Sequence, residues 1–275
     1  MRDQHNRDPQ LESNGKSIFS HHPVRGTTDI EDLTDLHHYA ALVKTKHEYD
    51  EIAPSYREAV SLPDIVAMET RRINYGVALV AQRGTPATSV LDVGCAGARD
   101  LKTWMDLGVT YYGVDYSSAM IDLALAQADR LGAADAHFKR GNLLAMDLIP
   151  ESVSMVWCSS VIQHVPKGKA EDVLKGFQTA LERGGLLYLN VRPPKEGVPT
   201  EGMVSSKEYT RSDGTKHVER FVAHYEMSEM EDLLGRCGFS IEDGEKYKEV
   251  YDQYDDGGEK ARYLPEKFVL FARQR

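Results

Sequence analysis

Cysteine is scarce: three residues in a chain of 275. Cys95, Cys158 and Cys237 stand far apart in apolar surroundings. That pattern excludes a disulfide framework and predicts buried free thiols in a reducing compartment. Long apolar runs are missing as well. None approaches the roughly 18 residues of a membrane span, and the polar N-terminus lacks the form of a signal peptide. Basic excess is also absent. A net charge of −10 and a pI near 5.5 argue against a general nucleic-acid binder, leaving open only a local basic groove. These absences together predict a soluble, cytoplasmic protein with no membrane partner. The apolar share of 41% is enough for a buried core, and the length suits one large α/β domain with additions.

Residues 1–30 are polar and aperiodic, and are expected to form a flexible tail. The pairs His21-His22 and His37-His38 are expected to be solvated, because no Cys or carboxylate lies at metal-ligand spacing. No metal is therefore expected. Residues 31–84 have helical periodicity. Ile65, Met68, Ile73, Val77 and Val80 recur at mostly three- and four-residue steps before Gly84, while Pro54 is expected to interrupt any long helix before them. From 85 onward strands and helices alternate. Strands are expected at 89–93, 111–115, 136–140, 153–159 and 185–191, with helices near 98–106, 117–131 and 168–182. This rhythm predicts a parallel sheet covered on both faces. A polar insertion, about 193–226, precedes a helix in SEMEDLLGRCGF and two last strands, SIEDGEKYKEV and KFVLFARQR. The acidic run YDQYDDGGEK between those strands is expected to be a turn, because its carboxylates lack calcium-loop spacing.

The stretch VLDVGCAGARDL, residues 90–101, carries the chemistry. A strand feeds a small-residue loop that opens a helix, a common cradle for a nucleotide. The next strand ends at Asp115, 23 residues after Asp92, where a carboxylate can accept both hydroxyls of a ribose. After the third strand, Gly141-Asn142-Leu143 sets a polar side chain beside an apolar one, suited to an adenine edge. The glycine pattern of dinucleotide enzymes is absent, and Asp92 would repel a pyrophosphate. It would suit an ammonium group. The residues therefore favour S-adenosylmethionine, which has ribose, adenine and ammonium but no phosphate.

In these motifs the sequence resembles the class I S-adenosylmethionine-dependent methyltransferases of small-molecule type. VLDVGCAGARDL is similar to their first motif, YYGVD to the ribose motif, KRGNLLAMDL to the adenine-side motif and VSMVWCSSVIQHV to the fourth strand and its sequel. ERGGLLYLNVRPP resembles the following helix-to-strand passage, and HEYDEIAPSYRE an N-terminal lid. The resemblance spans roughly residues 47–275. It implies a Rossmann-like, seven-stranded, mostly parallel sheet of order 3-2-1-4-5-7-6, the last strand antiparallel, with helices on both faces. It also implies an N-terminal helical lid and an insertion after the fifth strand. Asp92 and Gly94 would lie near the methionine moiety, with Cys95 and Ala96 beside them. Asp115 and Tyr116 would meet the ribose, Asn142 and Leu143 the adenine, and Ser159 and Gln163 the pocket wall. Asn142 stands where the family more often has Asp, keeping an acceptor but losing the charge. Ala96 and Ala98 replace two glycines of the G-x-G-x-G pattern, and Gly97 is expected to take the positive φ in their place.

Methyl transfer is an in-line displacement at a sulfonium carbon, so the protein chiefly aligns the acceptor and excludes water. His164, just beyond the fourth strand, is the candidate base or acceptor-orienting group, with packing against the cofactor as the alternative role. Tyr49 and Tyr56 would share a helix face and cover the cofactor, or serve as core aromatics. The acceptor pocket is expected to draw on Arg192 and, from the insertion, on His217, His224 and Tyr225. The expected partner is a small-molecule acceptor methylated on oxygen or nitrogen, and a homodimer is compatible with the sequence. Two other readings share the core: a tRNA-modifying methyltransferase, disfavoured by the acidic balance, and a protein that binds the cofactor without catalysis.

Overall fold

The computed structural model describes residues 22–27, 36–207, 209–247 and 267–275. Seven strands form the central sheet: β2 (Ser89–Val93), β3 (Thr110–Asp115), β4 (His137–Arg140), β6 (Val153–Cys158), β7 (Leu181–Val191), β10 (Phe239–Tyr247) and β11 (Lys267–Gln274). Their spatial order is β4-β3-β2-β6-β7-β11-β10. Counted along the chain this is 3-2-1-4-5-7-6, and β11 runs antiparallel to both β7 and β10, as the resemblance implies.

The strands are buried on both faces, which is why they read as continuous apolar runs. Leu91, Val93, Val156, Cys158, Leu187 and Leu189 point into one core layer, which also holds Leu174 and Phe177 of α5 (Lys167–Ala180) and Leu233 and Leu234 of α6 (Met227–Arg236). Val90, Met155, Trp157, Leu186 and Tyr188 point to the other. There they meet α2 (Pro63–Ala81), α3 (Leu101–Asp106) and α4 (Ser118–Leu131). Trp157 and Tyr188, on adjacent strands, stack with ring centroids 3.7 Å apart and planes 10° from parallel. Each is fully buried, so this pair anchors the second layer.

Three features differ from the sequence expectations. First, α1 (Leu36–Val60) runs through Pro54 as one helix of 25 residues. Proline there removes only its own bond to the Asp50 carbonyl. Ile52 and Ala53 are buried beside it, so tertiary packing overrides the local preference. Second, the expected tail is structured over its last residues. β1 (Val24–Thr27) pairs antiparallel with a short β5 (Met146–Leu148). His22 is buried edge-on against Tyr112, not solvated, and burial lowers its pKa to about 4. The rest of that expectation, 1–21 and 28–30, lies outside the described residues, as do His21, the His37 and His38 side chains and the acidic run 251–260. Third, the insertion carries its own two-stranded sheet. β8 (Glu201–Ser206) pairs antiparallel with β9 (Val218–Ala223). That sheet lies on α1, where the Phe221 amide donates to Thr45 Oγ1 at 2.8 Å. Among the described residues, no helix is long and apolar enough to cross a membrane.

Candidate active site

A cleft opens at the carboxyl ends of β2, β3 and β6 and is roofed by α1. Its floor is the loop after β2. The amides of Gly94 and Cys95 both donate to the Val114 carbonyl, at 2.7 and 3.0 Å, folding the chain back on β3. Gly94 has φ +68, and a Cβ there would lie 2.3 Å from Val161 Cγ2. Any side chain there would be strained and would crowd Val161. Ala96 and Ala98 themselves adopt positive φ, 46° and 51°, whereas Gly97 does not. The expectation that Gly97 relieves them is therefore wrong. Loop hydrogen bonds fix the conformation instead: the Ala96 amide donates to Asp115 Oδ2 at 2.9 Å, and the Ala98 amide to the Cys95 carbonyl at 2.9 Å. The strain, about 1 kcal/mol or more per alanine, is held by the surrounding contacts.

Asp115, ending β3, also accepts from the Ser117 amide at 2.8 Å. Burial pushes its pKa up to about 6 despite these bonds. A buried carboxylate of this kind gains from further donors, as two ribose hydroxyls would provide. On the third strand's side Asn142 is buried, and its Oδ1 caps a short turn by accepting from the Leu144 amide at 3.1 Å. Across the cleft, Ser160 Oγ donates to Asn190 Oδ1 at 2.9 Å, and Asn190 Nδ2 donates to Ser159 Oγ at 3.2 Å. Asn190 is fully buried on β7, so it fixes the segment that leads to His164.

The roof is fastened to the floor. Asp50 of α1 accepts from Ser117 Oγ at 2.6 Å and from the Ala119 amide at 3.2 Å, at the start of α4. Lys46 bridges to the same carboxylate at 2.7 Å. Burial alone would raise the Asp50 pKa, but the bonds from Lys46 and Ser117 outweigh it and hold the carboxyl below its usual range. Tyr49, one residue earlier, reaches His164. Its hydroxyl lies 2.9 Å from Nε2, while His164 Nδ1 lies 2.6 Å from the Phe221 carbonyl. A carbonyl only accepts, so Nδ1 carries the proton and Nε2 accepts from Tyr49. Burial and the neighbouring Arg220 lower the His164 pKa to about 3, so the ring is neutral at physiological pH. Arg220 Nη1 donates to the Tyr49 oxygen at 3.2 Å, and the guanidinium lies over the Tyr49 and Tyr209 rings. Tyr56 packs edge-on against Tyr49.

The cleft thus gathers Tyr49, Tyr56, Gly94, Ala96, Asp115, Tyr116, Asn142, Leu143, Ser159 and His164. Other candidates lie elsewhere. Alternation along β2 turns Asp92 away from the cleft, where Tyr111 Oη donates to it at 2.6 Å, and burial raises its pKa to about 8. Cys95 lies beneath the loop against Gly113, and Gln163 is buried off the cleft. His217 is exposed beside Glu219, and His224 and Tyr225 are buried away from the lining, as Arg192 also stands outside it. Leu42, Thr45, Lys46, Ser117 and Met120 line the cleft and were not anticipated. Residues 42, 45 and 46 precede Tyr49 at helical steps of seven, four and three. A continuous helix through Pro54 would have revealed them.

Residues 90–185 match the methyltransferase domain family. Two curated ubiquinone biosynthesis O-methyltransferases are similar. That of Idiomarina loihiensis is 26% identical over 145 residues, 52% of this chain and 59% of the relative. That of Pseudomonas entomophila is 28% identical over 138 residues, 49% of this chain and 55% of the relative. The matched stretch thus spans under two thirds of either relative. Among solved structures, 1,6-didemethyltoxoflavin-N1-methyltransferase of Burkholderia thailandensis superposes with a TM-score of 0.58 at 17% identity, covering 88% of this chain and 91% of that one. Strand order and family match agree: residues 90–185 match a methyltransferase domain, set in a seven-stranded Rossmann-like sheet.

Proposed function

We propose that the protein transfers a methyl group from S-adenosylmethionine to an oxygen or nitrogen atom of a small-molecule acceptor, a hydroxyl being the favoured target. The observation that carries this reading is the Tyr49 hydroxyl–His164–Phe221 carbonyl chain at the cleft wall opposite the Asp115 floor. The residues suit the cofactor: Asp115 would hold the ribose, Asn142 and Leu143 the adenine, and the Gly94–Ala96 loop the amino-acid end. Bound there, S-adenosylmethionine supplies an activated methyl and its own leaving group. His164 Nε2, free of a proton, would accept one from an acceptor hydroxyl that displaces Tyr49, with Nδ1 still anchored to Phe221. Arg220 would favour the resulting oxyanion, and the α1 roof would exclude water. The curated relatives, named as O-methyltransferases, support the hydroxyl preference.

Calorimetry with S-adenosylmethionine and S-adenosylhomocysteine, followed by a screen of phenols, catechols and amines, tests the proposal. Asp115→Ala should weaken cofactor binding by about 1–3 kcal/mol, through loss of a charged hydrogen-bond acceptor. His164→Asn should leave that affinity within twofold and lower kcat by about 10²-fold or more. Failure of either cofactor form to bind would overturn the proposal.

A further inference from the structure

Behind the β2 loop, on the side away from the cleft, a second groove of ≈ 590 Å³ separates α1 from α3 and α4. Its charged lining is Arg57, Arg99, Lys102 and Arg130 against the single carboxylate Glu58. Such a surplus is unusual in a chain of net charge −10. Two of these cations are already matched. Arg99 bonds Asp100 at 2.6 and 2.8 Å, and Lys102 bonds Asp106 at 2.8 Å. Arg57 and Arg130 are not: among the described residues neither forms an ion pair. Both donate to one neutral atom, Gln127 Oε1, Arg57 Nη2 from 3.1 Å and Arg130 Nη2 through a shorter contact. Gln127 is buried, so this shared acceptor is a fixed point. One amide oxygen cannot neutralise two guanidinium groups, and each fork keeps unused donors.

We propose that this groove is a binding site for a phosphate group, free or carried on a small molecule, clamped between Arg57 and Arg130. Two planar forks converging from different helices suit a tetrahedral dianion better than a single carboxylate. The acidic surface elsewhere favours a small ligand over a polynucleotide, whose backbone would need a longer basic track. The site also has a mechanical consequence. Arg57 belongs to α1 and Arg130 to α4, and a Cβ on Gly97 of the β2 loop would lie 3.7 Å from the Arg57 stem. A dianion between them ties the roof to the core behind the loop. On the proposed function, that tie strengthens cofactor retention in the cleft.

The test is calorimetry of the full chain with inorganic phosphate, pyrophosphate and glycerol phosphate at constant ionic strength, with acetate as the control and no cofactor present. Saturable binding of one or more phosphates, weakened about tenfold or more in both Arg130→Gln and Arg57→Gln, is expected. Preference for glycerol phosphate over inorganic phosphate would assign the site to a phosphate ester, and the reverse to the free ion. Equal binding of acetate, unchanged binding in the two variants, or binding only to long RNA with a steep salt dependence would overturn the proposal. Arg130 is exposed, so its variant is expected to fold, and thermal unfolding checks this. Because no cofactor is present, the result stands apart from the fate of the methyltransferase reading.

Discussion

Gly94 and Gly97 have similar places in the sequence pattern, yet the structure assigns them opposite tolerances. Replacing Gly94 by alanine puts a side chain at φ +68, costing about 1–2 kcal/mol. The added Cβ would also lie 2.3 Å from Val161 Cγ2, and relieving such overpacking costs typically about 1–3 kcal/mol. The two effects act on the same backbone, so Gly94→Ala should destabilise by about 2–5 kcal/mol and distort the cleft floor. Gly97 is not at positive φ, and a Cβ there would meet Leu123 at 3.4 Å, an ordinary contact. Gly97→Ala should therefore be neutral or stabilising by up to about 1 kcal/mol, since it restricts the unfolded chain. Urea unfolding of the two variants, with the slope compared to confirm an unchanged transition, measures both values. Equal destabilisation by the two substitutions would refute the loop geometry from which they are derived.

The titration of Asp92 supplies a second prediction. Its folded pKa of about 8 lies above the unfolded carboxylate value of about 3.9, so its contribution is fully present below about pH 4 and is lost as pH rises toward 8. Asp92→Asn does not titrate, so its stability advantage over the parent should grow from pH 5 to pH 8 in urea unfolding. A gap independent of pH would contradict the assignment. Asp50→Ala removes the acceptor of two bonds to the start of α4 and one partner of Lys46. Amide exchange in residues 42–60 should quicken by a factor that corresponds to about 2 kcal/mol, with little change in β6 and β7. Pro54 is exposed within α1, so Pro54→Ala restores a helical hydrogen bond without loss of packing. It should raise stability by about 1–3 kcal/mol, and a fall in Tm would show that the ring itself is needed.

The sheet was legible because its information is local and repeated. Strands buried on both faces, such as Val153–Cys158, give unbroken apolar runs, and the intervening helices have their own period. Asp115, Asn142 and His164 were legible for a related reason: each ends or follows a parallel strand, and strand ends in such sheets face one cleft. Short strands were not. β5 has three residues and β1 four, too few for an alternation to stand out, and each exists only because the other pairs with it. Three substrate candidates of the insertion lie outside the cleft lining. His217, His224 and Tyr225 were drawn from an insertion on the strength of their chemistry alone, without a period to orient them. Pairing of β8 with β9 then set which side chains face α1, and Arg220 is the one that reaches Tyr49.

Asp92 shows how a correct motif can conceal a different local chemistry. In sequence it is a carboxylate beside a small-residue loop, and an ammonium ligand is its natural partner. In the fold, strand alternation turns it into the layer that holds Tyr111, Cys95 and Trp157. There the Tyr111 phenol donates to its Oδ2, and burial favours the neutral acid. A neutral Asp92 contributes little field at the loop. The negative charge available to a cationic ligand in this cleft then comes from Asp115, which accepts from the Ser117 amide, while Asp50, paired with Lys46, accepts from the Ser117 hydroxyl. Ser117 therefore links the floor and the roof of the site through one residue. Ser117→Ala keeps the amide that Asp115 accepts from and removes the hydroxyl that holds Asp50 and caps α4, so it should quicken amide exchange in α1 while Asp115 stays in place, whereas Asp92→Asn should change stability and leave closure intact.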